Sequence, residues 1–389
     1  MSNDNISPQL HEYNSKITRH HKANFYIIAL QQICFRLGWI FKTESIVIPA
    51  LITSLTASPF ILGLFPMVSR LGKFIPQLTA ANFIEPLRKR KYALIVLNIG
   101  ALGPWTIVTI WCWLKPENKN LFLWFFLFAY MAFWICTGAG NLAVRTIIGK
   151  VVRYNFRGRV IKIIGLYGGI FTVICSLTAA FMLKSILFPY NFAVLFTFSS
   201  IFFFLALICA MIIREPDYPV EAKRDKVNIY FISAFKLLFS DRNLRKIIFI
   251  GWTYSITAAL FPFYTVYAIK DIGVPLNLLA FGLFFQHGAN ALGEIFLGPV
   301  ADRKGNKSVL IILSLLAAII PLLPLIINHL FIRSIGIYLF NSVFLMIGFG
   351  ISRETYLQNY LLESSSLGKQ PLYMGTVNLL VGISSLFPF

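Results

Sequence analysis

The chain has 389 residues, of which 57% are hydrophobic and only 13% charged, with a mean hydropathy of +0.73. No soluble domain with a water-facing shell carries that composition, so the chain belongs in a bilayer. Its net charge of +20 raises nucleic acid as a partner, but no basic face accompanies a soluble module, and nucleic-acid binding is not expected.

In chain order, apolar stretches of about 18 to 25 residues, each enough to cross roughly 30 Å of hydrocarbon as a helix, recur over the whole length. They place eleven spans at about 24–52, 58–82, 92–114, 121–147, 163–183, 190–213, 247–269, 277–300, 308–329, 334–352 and 372–389. A barrel would need short alternating strands, and none is visible. The first span follows the polar stretch Met1 to Ala23, with no short apolar core ending in small residues, so it reads as a retained span and not a signal peptide.

Lys and Arg are sorted by side. The stretch before span 1 and the connections 2–3, 4–5, 6–7, 8–9 and 10–11 hold 25 of the 35, against five (Lys115, Lys119, Lys184, Lys270, Arg333) in the opposite connections. Positive residues stay inside, which predicts a cytoplasmic N-terminus. The five cysteines (Cys34, Cys112, Cys136, Cys175, Cys209) all lie within spans, with no metal-binding spacing, and read as small buried apolar residues. No metal and no cofactor is expected.

The longest polar connection, 214–246, follows six spans and divides the chain into a first bundle over 1–213, a central cytoplasmic loop and a second bundle over 247–389. Its amphipathic part, NIYFISAFKLLFSDRNLRK, suits the inner membrane surface and reads as a linker. Shifting the first half by 217 positions lays ANFIEPLRKRK, from Ala81 to Lys91, over GPVADRKGNKS, from Gly298 to Ser308. Ala81 then meets Gly298, Glu85 meets Asp302 and Arg90 meets Lys307, each copy between the second and third spans of its half.

The spacing of Gly298, Asp302, Arg303, Gly305 and Lys307 resembles the cytoplasmic loop signature of the major facilitator superfamily. The first copy departs from it, with Ala81, Pro86 and Arg88 in place of Gly, Arg and Gly. The stretches FIPQLTAANFIEP, YNFRGRVIKIIGLYGG and LQNYLLESSSLGKQPLYMGTVN also look like bacterial members. The resemblance implies an all-α polytopic membrane protein of two pseudo-symmetric six-helix bundles. It implies twelve spans, so an end at Phe389 would leave the second bundle short of its last one to two helices. It further implies a latch: Asp302 against the start of span 5 beside Arg157 and Arg159, and Glu85 against the start of span 11 near Gln370 to Tyr373. Such contacts would close the inner side of an alternating-access machine.

Charges within spans are costly unless they face a partner or a wet cavity. Span 8 carries Gln286, His287, Asn290 and Glu294 on one arc; His287 and Glu294 are the candidates for carrying a proton between conformations. Span 1 sets Gln32, Arg36 and Thr43 on one face with Glu44 at its edge, and span 2 sets Arg70, Lys73 and Gln77 on one side. These leave the first half's interior rich in cations, and an Arg fork matches a carboxylate or phosphate. Pairing of Arg36 or Arg70 with Glu44 and snorkelling of Lys42 and Lys73 are the structural alternatives. Small residues in TGAGN, ending at Asn141, suit close helix packing, and Arg145 one turn later reads as interfacial. Pro66, Pro76, Pro104, Pro262, Pro321 and Pro324 mark expected kinks.

The expectation is a monomeric secondary transporter in a bacterial plasma (inner) membrane, moving a small organic solute, with an anion favoured, by alternating access coupled to protons. Its partners are then the bilayer, the solute and protons. The alternatives are a multidrug or cation exporter of the same fold, or a non-transporting or degenerate membrane protein. An enzyme is disfavoured because only His287 lies deep among the spans, away from His11, His20, His21 and His329.

Overall fold

The structure, a computed structural model, describes residues 6–56, 58–84, 87–115, 117–152, 154–216, 236–330, 333–364 and 370–384. Glu85, most of the central loop and the last residues of span 11 lie outside these, and so do the side chains of Gln77, Arg157 and Glu294. The described chain is helical almost throughout, as apolar segments must be where no water can satisfy backbone groups. Among the described residues, seven segments are long and apolar enough to cross a membrane: Lys91–Trp113, Lys119–Val151, Ile163–Ser185, Tyr190–Ile212, Arg242–Ile272, Asn306–Leu330 and Ile335–Leu361. They fall on expected spans 3, 4, 5, 6, 7, 9 and 10. Spans 2, 8 and 11 are the helices Pro59–Ile84, Phe281–Lys304 and Gln370–Ser384.

Two spans differ from the expectation at their polar residues. Span 1 is two helices, Ile6–Ile40 and Val47–Leu55, with residues 41–46 outside either. Pro49 explains the break: it has no N–H to give the Ser45 carbonyl four residues earlier, and its ring crowds that oxygen. The freed Ser45 carbonyl accepts instead from the Thr265 hydroxyl of span 7. Span 10 was expected to end near residue 352, before Arg353 and Glu354. It runs on as Asn341–Ile351 and Arg353–Ser364, so those two charges lie within the span and not in a loop. Of the expected kinks, those ahead of Pro262 and at Pro321 interrupt their spans, whereas Pro66, Pro76 and Pro104 sit inside continuous helices.

Packing places one core at the end remote from the basic connections and two cores at the basic end. The remote core joins both halves: Phe41, Ile46, Phe126 and Phe196 pack in the same cluster as Leu279, Leu283, Phe340 and Phe344. At the basic end, a cluster around Phe25, Leu94, Ile147 and Ile213 belongs wholly to the first half, and another around Leu244, Leu310, Leu357 and Val381 wholly to the second. The halves also meet where span 5 packs on span 8 and span 2 on span 11. A molecule built this way is sealed at one end and divided at the other.

Small residues set the closest approaches. A Cβ on Gly138, in TGAGN, would lie 2.4 Å from the Lys73 carbonyl oxygen, so the close packing expected at TGAGN is made against span 2. A Cβ on Gly348 would lie 2.1 Å from the Gln286 carbonyl oxygen, which ties span 10 to span 8. Both leave no room for a side chain.

Candidate solute cavity

The break in span 1 and the break in span 10 face each other across a cavity of about 520 Å³ between the two halves. From the first half it is lined by Gln32, Arg36, Glu44, Arg70, Lys73 and Trp134, and from the second by Tyr254, Gln286, His287, Glu354, Gln358 and Asn378. Five of the seven sequence-derived substrate candidates line it: Gln32, Arg36, Glu44, Arg70 and Gln286. Asn290 stands behind Arg36, accepting from its Nη2 at 3.4 Å and donating to Ser352 at 3.0 Å. His287 reaches the cavity with Nε2 lacking a hydrogen-bond partner, whereas the side chains of Gln77 and Glu294 lie outside the described residues.

Polar groups across the cavity are hydrogen-bonded in a fixed order. Glu44 accepts from the Tyr130 hydroxyl and, at 3.5 Å, from Ser69. Neither Arg36 nor Arg70 pairs with it, so the expected alternative of a bridge to Glu44 is not what forms. Ser45 donates to Gln286 at 2.6 Å, joining spans 1 and 8 beside the Thr265 contact. Lys73 pairs with Glu354 at 2.6 Å, and Arg145 donates to Gln358 at 2.7 Å, so two bonds cross from the first half to span 10. Arg70 makes no ion pair or hydrogen bond among the described residues and keeps its donors for the cavity.

The alternative of snorkelling is taken by neither lysine. Lys73 does not snorkel; it is held by Glu354. Lys42 does not snorkel either: it is 0% exposed, with its Nζ 3.9 Å from the Trp39 ring centre and 3.8 Å from that of Phe133. The sequence reading missed Glu354, Tyr254 and Arg353 as interior groups. Arg353 is 3% exposed, donates to Thr253 at 2.9 Å and lies over the Tyr254 ring. The available signal was RETYLQNYLLES itself, whose tyrosines and leucines continue the apolar face past the first charge.

The loop signature is placed but not engaged. Gly305 has φ of +78°, a backbone suited to glycine, and turns the chain between spans 8 and 9. Asp302, Arg303 and Lys307 are exposed, a Cβ on Gly298 would meet open space, and no hydrogen bond or ion pair joins Asp302 to Arg159, which is also exposed. Arg159 lies over the Phe156 ring instead.

A helical chain whose halves share a core at one end and line a cavity between them with charged, polar and aromatic side chains has the form of a membrane transporter. Its sequence matches the family model of the Major Facilitator Superfamily over residues 28–388, and the chain belongs to that family. Among solved structures it is similar to a D-xylose–proton symporter, with TM-score 0.69 and 14% identity over 95% of this chain and 90% of that one. It is also similar to the nucleoside transporter NupG, with TM-score 0.64 and 11% identity over 94% and 89%. A third is the xylose transporter XylE from E. coli in a partially occluded inward open conformation, with TM-score 0.63 and 14% identity over 93% and 91%. At these identities the likeness is one of fold. No curated protein matches the chain.

Proposed function

We propose that the protein is a secondary active transporter that moves a small organic anion across a bacterial plasma (inner) membrane by alternating access, with its basic end in the cytoplasm and its two halves, 1–213 and 247–389, rocking about the cavity. The observation that carries the reading is the cavity itself, lined by Arg36 and by an Arg70 that makes no hydrogen bond or ion pair among the described residues, between halves whose cores merge at one end only. The excess of Lys and Arg at the divided end supports a cytoplasmic opening. A cation exporter would need Arg36 and Arg70 neutralised by Glu44. That carboxylate is taken by Tyr130 and Ser69, which supports the anion. No covalent chemistry is assigned, and the protein acts as a monomer.

Purified protein is tested by thermal shift against anionic and cationic solutes of matched size, because a ligand that binds only the folded state raises Tm. Anions are expected to stabilise it. Arg36→Gln and Arg70→Gln are each expected to weaken the best anion about 10- to 100-fold, the scale of a lost charged hydrogen bond. Stabilisation by cations alone would overturn the reading. For proton coupling through His287 and Glu294, the expected outcome in proteoliposomes is loss of uphill uptake with retained exchange in His287→Gln or Glu294→Gln; unchanged uphill uptake in both would remove them.

A further inference from the structure

Lys42 sits in the break of span 1, and its ammonium is surrounded by rings from three spans. Its Nζ lies 3.9 Å from the ring centre of Trp39, 3.8 Å from Phe133, 4.6 Å from Trp105, 5.2 Å from Tyr130 and 5.8 Å from Trp134. It is fully buried, and no hydrogen-bond acceptor reaches it. A lysine in a span ordinarily extends to the interface or meets a carboxylate. Here the faces of aromatic rings, which attract a cation through their quadrupoles, replace both. Glu44, two residues on, is turned to Tyr130 and Ser69.

Two of these rings, Trp39 and Trp134, also line the solute cavity, so Lys42 stands one ring behind the wall. A charge in such a dry place is little screened, and its field enters the cavity. Within the cavity Lys73 and Glu354 cancel, and Glu44 offsets one of the cations Arg36, Arg70 and Lys42.

We propose that Lys42 is a positioning and specificity-determining residue: its ring-caged ammonium keeps the cavity positive, so that the site selects a monoanion with an aromatic or other flat apolar body, which lies on the outer faces of Trp39 and Trp134 while its anionic group meets Arg36 and Arg70. This rests on the transporter reading above and adds the class of solute to it. Phe35 packs on Trp39 and extends this aromatic wall, and Tyr254 lines the cavity from the second half, which gives a flat body more surface than a sugar or a short aliphatic acid would use.

The test compares binding of benzoate, benzyl alcohol and benzylammonium to purified protein by thermal shift and by quenching of tryptophan fluorescence with the 4-bromo analogues. Wild type is expected to bind benzoate at least tenfold more tightly than benzylammonium. Lys42→Met and Lys42→Gln are expected to bring that ratio close to one, and Lys42→Arg to keep it. Methionine fills the cage with a flexible apolar chain that favours aromatic contact, so the variant is expected to fold, and either neutral variant decides. Quenching by 4-bromobenzoate is expected to fall in Trp39→Phe. A benzoate preference that survives in Lys42→Met or Lys42→Gln overturns the role of Lys42 and leaves the anion transporter standing. Absence of any preference in wild type overturns both.

Discussion

Two ion pairs show how differently one distance can count. Lys150 and Glu215 meet at 2.7 Å with side chains 4% and 0% exposed, and Glu215 also accepts from the backbone N–H groups of Arg90 and Lys91 at 3.0 and 2.7 Å. Removing one partner strands a buried charge, so Glu215→Gln is expected to destabilise the protein by about 3–5 kcal/mol, read as a fall in detergent Tm. Lys73 and Glu354 lie at 2.6 Å but are 20% and 35% exposed, and solvent screening reduces their worth to about 1 kcal/mol or less. Glu354→Gln is therefore expected to leave Tm nearly unchanged while making a cysteine at Leu361 react faster with a water-soluble maleimide, because a bond from the first half to span 10 is gone. A drop in Tm as large as that of Glu215→Gln would contradict this. At this scale the sequence was partly legible. Arg36, Arg70, Glu44 and Gln286 all line the cavity, and their spacing along greasy helices was the signal, because such polar residues must face something wet. Glu354 was not, because hydropathy ends a span at its first charge even where the helix continues. The fate of Lys42 was hidden for another reason: its partners come from spans 1, 3 and 4, and ring faces are not visible as polar residues.

The helices were legible from apolar length alone, and their breaks less so. Pro49 was the signal for the interruption of span 1, but a proline three residues into a helix is ordinarily tolerated, and only the Thr265 hydroxyl waiting for the Ser45 carbonyl makes the break useful. Close packing at TGAGN was read correctly from small residues, and it carries a test. Gly138→Val is expected to separate spans 2 and 4 and to lower Tm severely, whereas Gly103→Val, where a Cβ meets nothing within 4 Å, is expected to be mild. Similar loss in both would contradict the packing. The start of span 7 adds a pH dependence. Asp241 caps the helix through Asn243 and Leu244 and accepts from the Tyr373 hydroxyl at 2.5 Å, and that last bond most of all holds its carboxyl below the usual range. A carboxyl whose folded pKa is depressed adds stability above its unfolded value of about 4 and loses it as pH falls through the folded one. Wild type is expected to lose Tm on acidification below about pH 4, and Asp241→Asn to lose less over that window and to start lower at neutral pH.

At the scale of the whole molecule, composition and the sorting of Lys and Arg were enough to read a polytopic helical protein, and the loop signature from Gly298 to Lys307 was enough to read its family. What sequence did not contain was the conformation. The merged core at one end joins residues more than 200 positions apart, as the Ser45–Gln286 bond does, while each core at the other end stays within its own half. In this state no hydrogen bond or ion pair joins Asp302 to Arg159, both of which are exposed, and that fits a latch that engages only when the basic end closes. The account therefore requires two states, and one measurement addresses that directly. In a background without the five native cysteines, spin labels at the exposed positions Arg159 and Lys304 report the distance across the basic end by double electron–electron resonance. Two populations are expected, the longer corresponding to the structure described, with a stabilising anion changing their ratio and Asp302→Asn depleting the shorter. A single distance, unmoved by anion or by Asp302→Asn, would contradict alternating access in this protein.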